Sequence, residues 1–335
     1  MPPSAGRCGV TPPSGLLVLG PLIAIAAMLI DVQISQAFTD PDILVRTLTY
    51  YLIGTSIGVL TQGALGLTLD RRQGRPPLPL TRPALIAIGS LDLISVVSWL
   101  YALLTGHTAA VLALGSLAPV LVGGWEMVSG KLPIERGLPG IGLTLLGVCF
   151  LMQPAAGVAN AIPLGCCVAL LIRNLTKAAT EVWEREVPLA ASYRFVGMRV
   201  LAMTGLGVPC ALGVLAIHGE IPAAASVLGT VPSGVVLLQV LSHALWFSVN
   251  AARVQVKQHV NSITLPTAAF STPAAGAALL ASVLNLALSG SFPKASFSIP
   301  LLIGALFLVA GAAWFAIVRA RTRAEASAPY TPSTT

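Results

Sequence analysis

The chain has 335 residues, of which 55% are apolar and only 9% are charged. Because soluble domains carry about a quarter charged residues, this composition excludes an ordinary soluble protein and indicates an integral membrane protein. The formal net charge of +7 does not indicate a nucleic-acid partner, because the basic residues flank apolar segments and form no stripe with interleaved aromatic residues.

Apolar segments long enough to cross a bilayer recur along the whole chain. Residues 1–14, rich in Pro, Gly and Ser, are predicted to be a disordered cytoplasmic tail. Ten predicted spans follow, at 15–37, 46–69, 84–105, 108–129, 134–153, 160–180, 194–217, 233–256, 262–287 and 298–319. Residues 321–335 are predicted to be a second cytoplasmic tail. The sequence therefore predicts an all-α integral membrane protein with about ten transmembrane helices.

The distribution of Lys and Arg predicts how these spans are oriented. Most of these residues lie at one set of alternating ends: Arg7, Arg71, Arg72, Arg75, Arg82, Lys131, Arg136, Lys177, Arg185, Arg194, Arg253, Lys257, Arg319, Arg321 and Arg323. The other connections hold only Arg46 and Lys294. Cytoplasmic connections are enriched in Lys and Arg, so both termini are predicted to be cytoplasmic. The Ala- and Gly-rich composition, without a recognisable transit peptide, favours a bacterial cytoplasmic (inner) membrane.

Matching features in the two halves of the chain predict an internal repeat. The fourth and ninth predicted spans each contain a proline, Pro119 and Pro273. The fifth and tenth spans each contain two glycines seven residues apart: Gly140 and Gly147, and Gly304 and Gly311. Residues 15–156 and 157–320 are then two five-helix repeats. Because five is an odd number, the second repeat must enter the membrane inverted, as in many secondary transporters.

The eighth predicted span carries a polar face. Six residues at steps of three or four share one side of a helix: Gln239, His243, Trp246, Asn250, Arg253 and Lys257. Polar groups are costly against lipid, so this face should look at other helices or at a wet cavity. An ionisable group near mid-span, such as His243, suggests a functional site. The alternative is structural hydrogen bonding between helices, with Arg253 and Lys257 reaching the headgroups.

The third predicted span carries a second polar face, formed by Asp92, Ser95 and Trp99. A carboxylate about two turns into the membrane is costly, so Asp92 needs a partner. Two alternatives are open: Asp92 binds substrate or a proton, or it forms a salt bridge with a basic residue. The candidate salt-bridge partners are Arg253, Lys177 and Arg173.

The sixth predicted span contributes Asn174 to the candidate site. On the same span, Arg173 and Lys177 are expected to be cytoplasmic anchors that reach the headgroups. Lys177 and Glu181 are expected to pair at a spacing of four residues.

Enzymatic activity is not expected. The four histidines fall on different segments, and no carboxylate pair, nucleophile motif or phosphate-binding glycine loop accompanies them. No cofactor and no metal are expected.

Two stretches resemble the EamA-type drug/metabolite transporter superfamily. The resemblance is clearest over 114–125 and 140–148, and it recurs more loosely over 262–315. It implies ten helices in two inverted halves around a cavity that serves transport of small metabolites. In that family Gly-Glu usually ends the fourth span of each half, whereas here Gly130 precedes Lys131 and Gly290 precedes Ser291. Glu126, about one turn before Lys131, is an alternative acidic group.

The sequence therefore predicts a secondary transporter, an exporter or an exchanger, that moves small organic metabolites by alternating access. The expected partners are a small-molecule substrate and the lipid bilayer, and no oligomeric state is indicated. The predicted substrate-binding residues are His243, Trp246, Asn250, Asp92, Trp99 and Asn174, of which His243 and Asp92 are candidates for proton coupling. A non-transporting membrane scaffold or sensor on the same fold is the alternative, because both family glutamates are missing.

Overall fold

A computed structural model describes residues 14–72, 82–152, 163–186, 193–259, 264–287 and 298–327, and the regular structure in these ranges is helical. The helices are α1 (Ser14–Ser35), α2 (Ile43–Gly58), α3 (Ala64–Arg72), α4 (Arg82–Thr105), α5 (Thr108–Leu114), α6 (Ala118–Val128), α7 (Ile134–Met152), α8 (Leu164–Glu186), α9 (Tyr193–Ile217), α10 (Ile221–Thr230), α11 (Ser233–His259), α12 (Thr264–Ser271), α13 (Pro273–Ala287) and α14 (Ile299–Ser327). A π-helical segment, Val59–Gly63, joins α2 to α3.

Nine helical stretches of the described chain are long and apolar enough to cross a membrane. They are Gly15–Ser35, Ile43–Arg72, Ile86–Thr105, Thr108–Val128, Ile134–Met152, Phe195–Ile217, Ser233–Lys257, Leu265–Asn285 and Ile299–Thr322. The protein is therefore an all-α integral membrane protein. Of the predicted tail at 1–14, residues 1–13 lie outside the described residues. The second predicted tail is helical over 321–327 and lies outside them from residue 328.

Two helices differ from the predicted series of spans. α8 has 23 residues, enough to cross a bilayer, but its many charged side chains keep it out of the set of nine apolar stretches. α10 is an apolar helix of 10 residues in a segment that no predicted span covers. It follows Gly219, whose φ of 74° favours glycine, and it packs against α2 and α9.

The two spans that contain the matched prolines are both broken helices. The fourth span is divided into α5 and α6, with Pro119 in the first turn of α6, where a missing N–H costs no hydrogen bond. The ninth span is divided into α12 and α13, and Pro273 begins α13. The four half-helices pack crosswise, α5 against α13 and α6 against α12.

The matched glycines lie where α7 and α14 contact each other. A Cβ added to Gly147 would lie 2.9 Å from the carbonyl oxygen of Gly304, and one added to Gly311 would lie 2.9 Å from that of Gly140. The two pairs run antiparallel along the helices. Residues without side chains let helix backbones approach this closely in a membrane.

Glu126 is fully buried on α6 and pairs with α14. Its Oε1 lies 3.3 Å from Nε of Arg319, and Nη1 of Arg319 also donates to the carbonyl oxygen of Lys131 at 2.6 Å. In the sequence between Glu126 and Lys131, Gly130 has a φ of 69°, a left-handed conformation that favours glycine. The acidic group at this end of the fourth span therefore connects α6 to α14. The second departure from the family pattern, at Gly290 and Ser291, lies outside the described residues.

The remaining long helices surround the middle of the molecule. α1 packs against α11, α4 packs against α8 and α9, and α2 and α3 pack against α9. Apolar side chains such as Met28, Leu112 and Leu170 form a core between these helices. A cavity lined by both apolar and polar side chains lies among α1, α2, α4, α8, α9 and α11.

Reporter fusions will test the orientation, which depends on whether α8 crosses the membrane. From the Lys and Arg distribution we expect fusions at 75, 133, 187 and 258 to report the cytoplasm, and those at 106, 157, 222 and 292 to report the exterior. If α8 does not cross, the fusions at 187, 222, 258 and 292 will each report the opposite side of the membrane. The fusions before α8 will report the same sides in either case.

Candidate functional site

A cavity of about 250 Å³ lies between the helices. Polar and charged side chains of its lining come from six helices and the π segment: Asp31, Tyr50, Tyr51, Thr55, Gln62, Asp92, Ser95, Trp99, Arg173, Lys177, Thr180, Arg199, Gln239, Ser242, His243, Trp246, Asn250 and Arg253. Specific ligand sites combine apolar walls with a few placed polar groups. This cavity has both: apolar walls, through Val96, Leu100 and Met203, and polar groups placed among them.

The structure brings five of the six predicted substrate-binding residues to this cavity. They are His243, Trp246, Asn250, Asp92 and Trp99. The sixth, Asn174, is buried on α8 outside the lining. Its amide donates to the carbonyl oxygens of Leu114, at 3.0 Å, and Leu170, at 2.8 Å. Asn174 thereby donates a hydrogen bond to a carbonyl at the end of α5. This is a structural role.

Gln62 of the π segment holds the imidazole of His243. Its amide Nε2 lies 3.0 Å from Nδ1 of His243. In this placement the amide nitrogen donates and Nδ1 accepts, the arrangement of the imidazole tautomer that carries its proton on Nε2. Gly54 and Gly58 of α2 leave room for the ring, since a Cβ at Gly58 would lie 3.0 Å from its Cε1.

Asp31 is a cavity residue that the sequence patterns did not single out. Ser242 Oγ donates to its Oδ1 at 2.5 Å, and Trp246 Nε1 donates to its Oδ2 at 2.9 Å. Tyr50 donates its hydroxyl to the Asp31 backbone carbonyl at 3.1 Å. A single carboxylate inside the first apolar span was the available signal, because such a group is rare at membrane depth. Its partners come from α11, more than 200 residues along the chain.

Asp92 forms a salt bridge, but not with a predicted partner. Nε of Arg199 donates to Oδ2 at 2.8 Å and Nη2 donates to Oδ1 at 2.6 Å. This two-point contact is the strong geometry of an Arg–carboxylate pair. The proposed pairing with Arg253, Lys177 or Arg173 was therefore wrong. Arg199 lies on α9, which packs against α4, whereas the three predicted partners lie on α8 and α11.

Arg173 is directed into the protein and not toward the headgroups, so its expected role as a snorkelling anchor was wrong. Its guanidinium lies 4.0 Å from the centroid of the Trp99 ring, and its Nη1 donates to the carbonyl oxygen of Gly115 at 2.6 Å. Gly115 follows α5, where the break in the helix leaves carbonyls without intrahelical partners. A cation at this end of a helix is also favoured by the helix dipole.

Lys177 lies one turn after Arg173 and also lines the cavity. The expected pair between Lys177 and Glu181 does not form. Glu181 pairs instead with Nη1 of Arg253 and Nζ of Lys257, both at 2.6 Å. Long side chains of α11 reach Glu181 and supply these two cations.

Glu184 is the centre of a buried cluster of charges. Its Oε1 contacts Arg199 and lies 3.2 Å from Nη2 of Arg253, and its Oε2 lies 2.5 Å from Nζ of Lys257. Glu181 and Asp92 complete the cluster. These contacts connect α4, α8, α9 and α11 at one end of the cavity, so the cluster fixes the relative positions of four of its walls.

The cavity can bind a small polar molecule through several kinds of contact. Arg173 and Lys177 offer positive charge, Trp99 and Trp246 offer aromatic surface, and Asn250 and His243 offer hydrogen bonds. Within the described part of the chain, no group of three or more His, Cys, Asp or Glu side chains is placed to hold a metal ion.

Comparison with known proteins supports the fold and gives no function. No family model matches the sequence, and no curated protein matches it. Sixteen chains of solved structures do match. One, titled only "Crystal structure of protein", has a TM-score of 0.55 and 18% identity, over 92% of this chain and 99% of that chain. At this identity the similarity concerns the fold alone, and it extends over nearly the whole length of both chains.

Proposed function

We propose that the protein is a secondary transporter of small organic metabolites, an exporter or exchanger that works by alternating access. The observation that carries the proposal is the cavity among the membrane-spanning helices, whose lining includes many polar side chains. Polar side chains in a membrane are costly unless they pair or line water, and a purely structural protein has no need of a cavity among them. His243, Trp246, Asn250, Asp92 and Trp99 are the proposed substrate-contacting residues, and Asn174 supports the wall behind them.

We further infer ten crossings in two inverted halves, as in the EamA-type superfamily that the sequence resembles. Broken helices occur at matched positions, in the fourth and ninth spans. The packing also has a two-fold pattern: α1 with α11 corresponds to α8 with α4, and the second, fourth and fifth spans each pack against their own counterparts. Transporters of this architecture place substrate where the repeats meet. α8 is then the tenth crossing, in a bacterial cytoplasmic membrane with both termini in the cytoplasm.

The alternative is a membrane scaffold or sensor that does not transport. The absence of the two Gly-Glu glutamates favours it, because contacts expected at the ends of the fourth and ninth spans would then be missing. The Glu126–Arg319 pair weakens this argument, since it supplies an acidic contact at the end of α6.

Exchange of labelled solute across reconstituted vesicles will test the proposal. We expect wild-type protein to exchange members of a panel of metabolites, and Ser95→Trp to reduce exchange at least tenfold, because the indole would fill the cavity that Ser95 lines. Ser248→Trp is the matched control, since Ser248 is exposed on the outer side of α11. No exchange of any solute by the wild type would favour the scaffold. Equal loss in both variants would show that the effect of Ser95→Trp does not come from filling the cavity.

The same vesicles under an imposed pH gradient address proton coupling. His243 is the better supported carrier, because both oxygens of Asp92 are bound by Arg199. A change of access that wets the imidazole would let it take up a proton. Under coupling, His243→Gln should lose gradient-driven accumulation but keep downhill exchange. Unchanged accumulation would leave His243 as a structural hydrogen-bonding group.

A further inference from the structure

Two cations of the cavity wall form no ion pair with a described carboxylate. Arg173 and Lys177 lie one turn apart on α8, and both line the cavity. Arg173 is 6% exposed and donates to the carbonyl oxygen of Gly115, which leaves the rest of its guanidinium without an acceptor among the described residues. Lys177 makes neither a hydrogen bond nor an ion pair with any described residue.

The neighbouring carboxylates form their ion pairs with other cations. Three described cations, Arg199, Arg253 and Lys257, are matched by three carboxylates, Asp92, Glu181 and Glu184. Arg173 and Lys177 therefore add two unmatched positive charges to one side of the cavity.

Asp31 is the remaining charged group of the lining outside an ion pair. Both of its oxygens accept hydrogen bonds from side chains of α11, namely Ser242 and Trp246. It is thus held against α11 and forms no ion pair with Arg173 or Lys177. An unpaired cation at membrane depth is costly, so a counter-ion from outside the protein would stabilise this wall.

We propose that Arg173 and Lys177 bind an anionic group of the transported molecule, a carboxylate or a phosphate. The inference rests on the proposed transport function and deepens it by assigning the charge of the substrate. The Trp99 ring and the Gly115 carbonyl hold the Arg173 guanidinium in place, so little ordering remains to be done when an anion binds. Guanidinium and ammonium donors are the groups that proteins use for carboxylate and phosphate.

The test is ligand-induced thermal stabilisation of the purified full-length protein. The probes are succinate, glycerol phosphate and inorganic phosphate, with succinamide and glycerol as neutral counterparts. We expect at least one anion to raise the unfolding temperature at concentrations where its neutral counterpart does not. Lys177→Met should weaken that binding at least tenfold, and Lys177→Arg should restore most of it. Because Lys177 makes no hydrogen bond or ion pair with a described residue, its replacement should leave the fold intact.

Lys131→Met is the matched control, since Lys131 is exposed and is not one of the residues that line the cavity. Stabilisation by carboxylates and not phosphates, or the reverse, would assign the group. Equal binding of neutral and anionic probes, or anion binding that Lys177→Met leaves unchanged, would overturn the charge assignment. Absence of stabilisation by every anion would overturn it as well. Anion binding without exchange of any solute across vesicles would instead retain the site and refute the transport function.

Discussion

Glu184→Gln is expected to lower the free energy of unfolding by about 3–5 kcal/mol, the usual cost of leaving a buried charge uncompensated. The Glu184 side chain is fully buried, and its two oxygens contact Arg199, Arg253 and Lys257. Glutamine keeps the size of the side chain but removes its negative charge. The three cations would then share two carboxylates, and the junction of α8, α9 and α11 would loosen. Thermal or denaturant unfolding in detergent micelles measures the effect.

A double-mutant cycle separates loss of charge balance from loss of packing. Lys257→Met alone removes one cation and leaves the cluster with an excess negative charge. The combination with Glu184→Gln restores balance, so the double variant should be more stable than Glu184→Gln alone. Glu135→Gln is the control for the substitution itself, because Glu135 is exposed on α7. A double variant with the summed loss of both single variants would show that the cluster does not act as a unit.

Gly140→Leu should be strongly destabilising at the contact of α7 and α14. A Cβ at Gly140 would lie 2.7 Å from Cε2 of Phe315, and the Phe315 side chain is fully buried. The ring cannot retreat, because its other side lies against Gly123, where an added Cβ would be 2.3 Å away. Overpacking of this kind costs about 1–3 kcal/mol, and more where the backbone must shift. The unfolding temperature and the yield of folded protein are the measurements.

Gly142→Leu is the matched control for this prediction. Gly142 lies two residues further along α7, and a Cβ there meets nothing within 4 Å. Replacing it should change stability by no more than about 1 kcal/mol, in the stabilising direction, because leucine has the higher helix propensity. Similar losses in both variants would mean that α7 and α14 do not approach as closely as the structure shows.

Features that depend only on residues close together in the sequence predicted much of the helical framework. Nine predicted spans coincide with apolar stretches of the described chain, because hydrophobic length is a property of consecutive residues. Pro119 and Pro273 fall at the two breaks, because proline removes a backbone donor wherever it stands. Gly140 and Gly147 lie on the face toward α14. The polar face of α11 likewise follows from a spacing of three and four residues.

The partners of the charged groups were decided by the tertiary structure alone. Sequence spacing indicated that Asp92 needs a cation, but only the packing of α4 against α9 supplied Arg199. Arg173 was expected at the headgroups, and it lies inside because Trp99 and the free end of α5 offer it a better site. The carboxylate of Asp31 is held by hydrogen bonds from Ser242 and Trp246, which lie on a helix distant in sequence. Local pattern fixes which groups must avoid lipid, whereas long-range packing fixes what they meet, because electrostatic and hydrogen-bond energies depend on distances that spacing along one helix does not contain.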